Sequence, residues 1–88
     1  MGNKKYDIYR AFANRNRVKL MLCLSKPKSV TELQRLCDLS QSALSQHLKI
    51  LKDEGLAACS RDGKNQIYEV KNKDILKIAR LLLKLDTK

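Results

Sequence analysis

The side chains best placed to do chemistry in this sequence are hydrogen-bonding groups concentrated on one stretch, Leu39 to Leu56, LSQSALSQHLKILKDEGL. Within it Leu44, Leu48 and Leu51 recur at spacings of four and three, which puts them on one helical face. The opposite face carries Ser42, Ser45, Gln46 and Lys49, and no acid. Hydroxyls and amides both donate and accept hydrogen bonds. A helix with an apolar back and such a front is built to lie against something polar. The major groove of DNA is one such surface. An ordinary solvated helix face is the other reading, since amphipathic helices are common.

Other chemistry is scarce. The chain has one His, His47, and three Cys, at 23, 37 and 59. There is no Ser–His–acid set, no glycine-rich phosphate loop and no pair of carboxylates in an apolar context, so an enzyme is not expected. A tight transition-metal site needs three or four convergent soft or imidazole ligands. Nothing in the spacing of Cys23, Cys37, Cys59 and His47 makes them converge, so neither a metal nor a cofactor is expected. Cys23 and Cys37 fall where core residues belong, and free Cys behaves as a small buried hydrophobe.

The elements that must hold the polar face follow from the rest of the chain. Ser40 is a fitting N-cap and Gly55 a fitting stop for the helix. Before it, Ser29 with Glu32 three residues on forms a capping box and opens a helix with Val30, Leu33, Leu36 and Cys37 as apolar positions. The short joint Asp38-Leu39-Ser40 makes the two a helix-turn-helix, with Leu39 buried between them. Further upstream, residues about 4–13 read as a first helix with Tyr6, Tyr9, Phe12 and Ala13 on one side. Asn14 caps a second, about 15–25, that is apolar nearly all round after Lys19 and therefore central; its first-turn Arg15 and Arg17 are expected at the surface. Lys26-Pro27-Lys28 breaks the pattern.

After Gly55 the period changes. Residues 56–61 and 66–70 read as two strands with Asp62-Gly63 in the turn between them. Arg61, Lys64, Asn65 and Gln66 make a polar tip. Asn72 caps a last helix, about 73–86. Its Ile75, Ile78, Ala79, Leu81, Leu82, Leu83 and Leu85 span more than half the circumference, where one core needs an arc of only about 100°. The excess predicts a homodimer, built from Ile78, Leu82 and Leu85 with Tyr6 and Tyr9 of the first helix as neighbours. Two-fold dimers are the commonest soluble assembly.

Composition agrees. Eighty-eight residues make one domain, 1–88. Lys plus Arg number 19 against 9 Asp plus Glu, a formal charge of +10. Such a field attracts polyanions, nucleic acid first and an anionic membrane surface second. No apolar run approaches the ~20 residues that cross a bilayer, and MGNKKYDIYR has neither the apolar core of a cleavable signal nor a myristoylation pattern. Three Cys without an export signal point to a reducing, cytoplasmic location.

The order of elements is mainly α with a small β-hairpin, α-α-α-α-β-β-α, the winged helix-turn-helix. The sequence resembles the ArsR/SmtB family of small dimeric repressors over about residues 5–85. AFANRNRVKLML with Arg17, SVTEL, and above all Ser45-Gln46-His47-Leu48 followed by Leu51 and Gly55-Leu56 carry the likeness, and SRDGKNQIYEV resembles the family's charged wing. The resemblance implies a DNA-binding regulator that releases DNA on a signal, its partner double-stranded DNA. It implies groove contacts from Gln41, Ser42, Ser45, Gln46 and Lys49, with Gln suited to adenine. It implies wing contacts from Arg61, Lys64 and Asn65, and phosphate contacts from Lys26, Lys28 and Arg15, which position without reading sequence. For each basic residue a solvated surface charge is the competing reading. His47, on the flank, is either a phosphate ligand or a hydrogen-bonded structural residue.

The family's sensor residues are largely missing. Its thiolate sites often use C-x-C in the third helix, where ELQRLCDL has one Cys. Its last-helix zinc sites use Asp and His, where NKDILKIARLLLKLDTK has no His. A redox-sensing subgroup pairs a Cys of the second helix with one of the last helix. Here Cys23 is displaced by about one position and the partner is absent. A thiol-responsive repressor would need a different pair, Cys23 with Cys59 or with Cys37. A nonspecific architectural DNA binder and a winged-helix protein-interaction module are the remaining alternatives.

Overall fold

The computed structural model describes residues 7–86. Its elements are α1 (Ile8–Phe12), α2 (Arg15–Cys23), β1 (Lys28–Ser29), α3 (Val30–Leu36), α4 (Gln41–Asp53), β2 (Ala58–Asp62), β3 (Asn65–Glu69) and α5 (Lys73–Asp86). This is the winged helix-turn-helix order, with one strand more than expected.

Local chemistry sets most boundaries. The Asp7 side chain accepts from the Arg10 N–H at 3.2 Å and caps α1 ahead of Ile8; residues 4–6 of the expected first helix, Tyr6 among them, lie outside the described residues. Asn14 accepts from Arg17 N–H at 3.1 Å and opens α2, which ends two residues earlier than the periodicity predicts. The Ser29–Glu32 capping box forms in both directions, at 3.1 and 2.9 Å. Ser40 caps α4 through the Ala43 N–H. Gly55 takes φ 79°, a conformation that a side chain disfavours, and the Leu56 and Ala57 N–H groups both return to Leu51 O. That return delays β2 to Ala58. Asn72 caps α5 through the Asp74 N–H at 2.8 Å.

The wing is a three-stranded antiparallel sheet in the order β1-β3-β2. Lys28 stands opposite Tyr68 and Ser29 opposite Ile67. The sequence gives no periodic signal for a two-residue strand. It forms because Ser29, as N-cap of α3, is extended at φ −79°, ψ 162° and offers its backbone to β3. The hairpin centre is Gly63-Lys64, since Asp62 pairs with Asn65. Gly63 has φ 65° and among the described residues no non-Gly residue has positive φ, the requirement of a II′ turn.

The core joins α2, α4 and α5. Leu20, Met21 and Leu24 of the α2 segment, Leu33, and Leu44, Leu48 and Leu51 of α4 are all buried, with Val70 and Ala79. Burying each leucine contributes roughly 1.5–3 kcal/mol. Positions at the margins depart from expectation. Leu36 is 61% exposed, because Leu33 alone fills the inward position of the short α3. Leu39, Cys23 and Cys37 are half-buried. Arg17, expected at the surface, is buried, and Leu76, passed over in the helical wheel, packs against the core.

Candidate nucleic-acid interface

The polar face of α4 is open. Gln41, Ser42, Ser45, Gln46 and Lys49 are all exposed, while Leu44, Leu48 and Leu51 hold the helix from behind. Lys49 is tied along the helix to Asp53 at 2.7 Å, and its ammonium holds the Asp53 carboxyl below the usual range. Such an exposed i,i+4 pair is weak, so Lys49 can exchange it for a phosphate at little cost.

The wing folds back toward the start of this face. A cleft of about 350 Å³ is lined by Gln41 and Ser45 of α4 on one side and Arg61, Lys64 and Asn65 on the other. Five residues singled out in the sequence thus share one concavity. Thr31 and Gln66 line it too. Gln66 was visible as a polar tip residue, but Thr31 carried no signal, since its place depends on how α3 meets the sheet. Ser42, Gln46 and Lys49 continue along α4 outside the cleft. Lys26 is exposed in the α2–β1 connection, and Lys28 is half-buried in β1. Gln41, Ser42, Ser45 and Gln46 carry no charge, the acid at Asp53 is already paired with Lys49, and the basic Arg61 and Lys64 across the cleft favour a polyanion.

Arg15 does not join this set. Its guanidinium meets Asp86 at the end of α5 in a two-pronged ion pair, 2.5 and 3.2 Å. The charge expected on a phosphate is committed to α5, because the start of α2 packs beside the end of that helix.

His47 takes the structural alternative. Its Nδ1 lies 3.3 Å from Arg17 Nη1. Arg17 also donates from Nε to Ala11 O at 3.1 Å and from Nη2 to Arg10 O at 3.0 Å. Both carbonyls belong to the last turn of α1, where helix geometry leaves acceptor capacity over; Arg10 O also accepts from the Ala13 N–H at 3.3 Å. These acceptors are why a charged side chain is buried here. Burial first, and then the Arg17 charge, hold His47 below the ordinary imidazole value. Burial and Arg10 lower Arg17 in turn. Nearby, buried Glu54 accepts from Asp7 N–H at 2.6 Å and Arg10 Nη1 at 2.8 Å. Spacing alone gave no hint of either contact.

The thiols sort differently from the pairing considered first. Cys23 and Cys37 line one cleft of about 270 Å³. Burial, and next the Cys23 thiol beside it, push the Cys37 thiol up. Cys59 lies on β2 opposite Tyr68, and after burial it is the neighbour that raises the Tyr68 hydroxyl. Cys23 therefore neighbours Cys37 and not Cys59. Among the described residues no three of His, Cys, Asp and Glu gather as metal ligands.

A second surface lies on α1 and α5. Tyr9, Ile78, Leu82 and Leu85 are exposed, and so are Ile8 and Leu81.

Comparison with known proteins agrees with this geometry. The family model described as bacterial regulatory protein, arsR family, matches residues 14–58. The HTH-type transcriptional regulator YgaV of Escherichia coli is 42% identical over 59 residues, 64% of this chain and 60% of that protein, so the match spans three fifths of the relative's length. The transcriptional activator HlyU of Vibrio cholerae is 33% identical over 93% of this chain and 77% of its own. The structure of HlyU from Vibrio cholerae superposes with a TM-score of 0.77 at 32% identity, covering 92% of this chain and 89% of the other. The arsenical resistance operon repressor of Bacillus subtilis is 31% identical over 82% of this chain and 71% of its own.

Proposed function

This chain belongs to the arsR family of bacterial regulatory proteins, transcriptional regulators and not enzymes, and from that premise we propose that it is a cytoplasmic, dimeric, sequence-specific DNA-binding repressor, one domain across residues 1–88. The front of α4, with Gln41, Ser42, Ser45, Gln46 and Lys49, would enter the major groove. Arg61, Lys64 and Asn65 would follow the flanking backbone or minor groove, and Lys26 and Lys28 would hold phosphates. The observation that carries this reading is the shared cleft, in which the helix face and the wing converge. Arg15 drops out of the phosphate set because Asp86 holds it.

A dimer is supported by the apolar excess on α5, where Ile78, Leu81, Leu82 and Leu85 are exposed, and by the exposed Ile8 and Tyr9 of α1. Repression is supported by economy, since a bound dimer blocks a promoter by occupancy alone. Of the named relatives, one is an activator and one a repressor, so the sign needs its own test. That test is selection of bound duplexes from a random pool, followed by transcription from a promoter carrying the recovered site. The expected result is an imperfect palindrome with half-sites about one helical turn apart and lowered transcription. Binding without site preference would convert the reading to an architectural one.

A second reading, a thiol-responsive repressor, is favoured by Cys23 lying beside Cys37. Titration of thiols in the native protein tests it. Three groups that stay unreactive until denaturation would exclude it.

A further inference from the structure

One buried cation joins three elements without an acid. Arg17, at the start of α2, is 9% exposed. Its donors go to the carbonyls of Arg10 and Ala11 at the end of α1 and to His47 of α4. Among the described residues no carboxylate bonds Arg17 or His47. Glu54, at the end of α4, is taken by Arg10 and the Asp7 N–H.

The chemistry of the bond is one-directional. A guanidinium in a protein only donates and stays charged. His47 Nδ1 must therefore accept, which puts the imidazole proton on Nε2 and requires the neutral ring. Protonation removes the acceptor and sets two cations 3.3 Å apart in a half-buried site. The charged groups around the ring are Arg17 from α2 and, beyond it, Arg10 from α1, which adds to the repulsion on Arg17; Glu54 at the end of α4 is already occupied. Nothing nearby would compensate a second positive charge.

His47 sits between Gln46 and Leu48, one on the exposed front of α4 and one in the core. The contact with Arg17 thus holds α4 at a residue flanked by its exposed front and its buried back. We propose that Arg17 is a positioning residue for DNA binding, fixing the roll of α4 against α1 through a bond that exists only while His47 is neutral. This rests on the DNA-binding reading above. It predicts that acid weakens specific binding. The sign is diagnostic, because added positive charge ordinarily strengthens binding to a polyanion.

The experiment uses the full chain, the duplex recovered by selection and a mixed-sequence duplex. The ratio of their affinities is measured from pH 7.5 to pH 5.5, with circular dichroism confirming the fold at each pH. The wild-type ratio should fall as the ring takes up its proton, toward a limit of about tenfold, the loss expected of one charge-assisted hydrogen bond. His47→Gln keeps a neutral acceptor, so its ratio should match wild type at pH 7.5 and stay flat below. Arg17→Lys keeps the charge but cannot fork to three acceptors, and its ratio should already be low at pH 7.5. A wild-type ratio that holds or rises on acidification, or one that falls equally in His47→Gln, overturns the proposal.

The chain has one histidine, so its ring can be titrated by NMR without DNA. The midpoint should lie below the ordinary imidazole value and rise in Arg17→Gln. If selection recovers no site, the DNA-binding reading fails by itself. A midpoint that Arg17→Gln leaves unmoved overturns the Arg17–His47 contact whatever the selection gives.

Discussion

Ser45 stands where α4 and the wing approach each other, exposed on the helix and lining the cleft with Arg61 and Lys64. A carboxylate there would meet phosphates, and like-charge juxtaposition costs several kcal/mol. Ser45→Glu should weaken specific binding by at least about 100-fold while leaving the melting curve nearly unchanged. Unaltered affinity for the selected duplex would remove Ser45 from the contact face. His47 yields a prediction on stability. Its folded value is depressed by burial and by Arg17, so on acidification the unfolded chain takes up the proton first. Stability is fully present above the unfolded imidazole value of about 6.5 and declines as pH falls from there toward the folded value. Urea midpoints should show this decline in the wild type and a shallower one in His47→Gln. At this scale the sequence was readable where a residue's role follows from its neighbours in the chain, as with Ser40 or Gly55. It was unreadable for Arg17. Arg17 sits in a basic first turn that reads as surface, and its burial depends on two carbonyls that only the α1–α2 corner brings within reach.

Among the elements, α4 was legible because a three-and-four spacing of leucines admits one arrangement, and its cap and stop lie within the same stretch. Ser40→Ala removes the acceptor for the Ala43 N–H and should cost about 1 kcal/mol, seen as a fall in melting temperature of roughly 4–8 °C. An unchanged melt would mean that water replaces the cap. The wing was legible as a hairpin but not as a sheet. Two residues have no period, so β1 carries no signal in the sequence, whereas the gap at 62–65 between the expected strands is the turn that Asp62 and Asn65 close. The wing's part in binding is electrostatic. If Arg61 and Lys64 each neutralise one phosphate, the double Ala variant should flatten the slope of log K against log salt by about 1.8. A slope equal to wild type would leave both as solvated charges. Cys23 and Cys37 read in the sequence as core positions, and spacing does not choose between Cys37 and Cys59 as the neighbour of Cys23. Their meeting depends on how the end of α2 faces the end of α3, which neither helix encodes alone.

For the whole molecule the question is what covers α5. Ile78 and Leu85 are 42% and 69% exposed, so charging them costs the isolated fold little. Ile78→Glu with Leu85→Glu should give a monomer by sedimentation. It should also lose about 100-fold or more in affinity for the palindromic duplex, since joint engagement of two half-sites is worth a factor of that order. A double variant that stays dimeric would move the interface elsewhere. The helix was expected to carry more apolar surface than one core can use, and Ala79 buried with Leu81 exposed bears out that division on one helix. Among the described residues no helix is long and apolar enough to cross a membrane.

The short strand β1 bears on how the wing moves. Rungs Lys28–Tyr68 and Ser29–Ile67 brace β3 from its outer side. Beyond them only Arg61–Gln66 and Asp62–Asn65 continue the ladder, an overhang of roughly 7 Å at strand spacing. The wing is in effect a cantilever, clamped at Tyr68 and Ile67 and compliant over its last two rungs. Its root is fixed to the capped start of α3, so bending at the tip leaves α4 undisturbed. The loose end carries Arg61, Lys64 and Asn65, which can follow a groove as it widens or narrows while the face of α4 keeps its alignment.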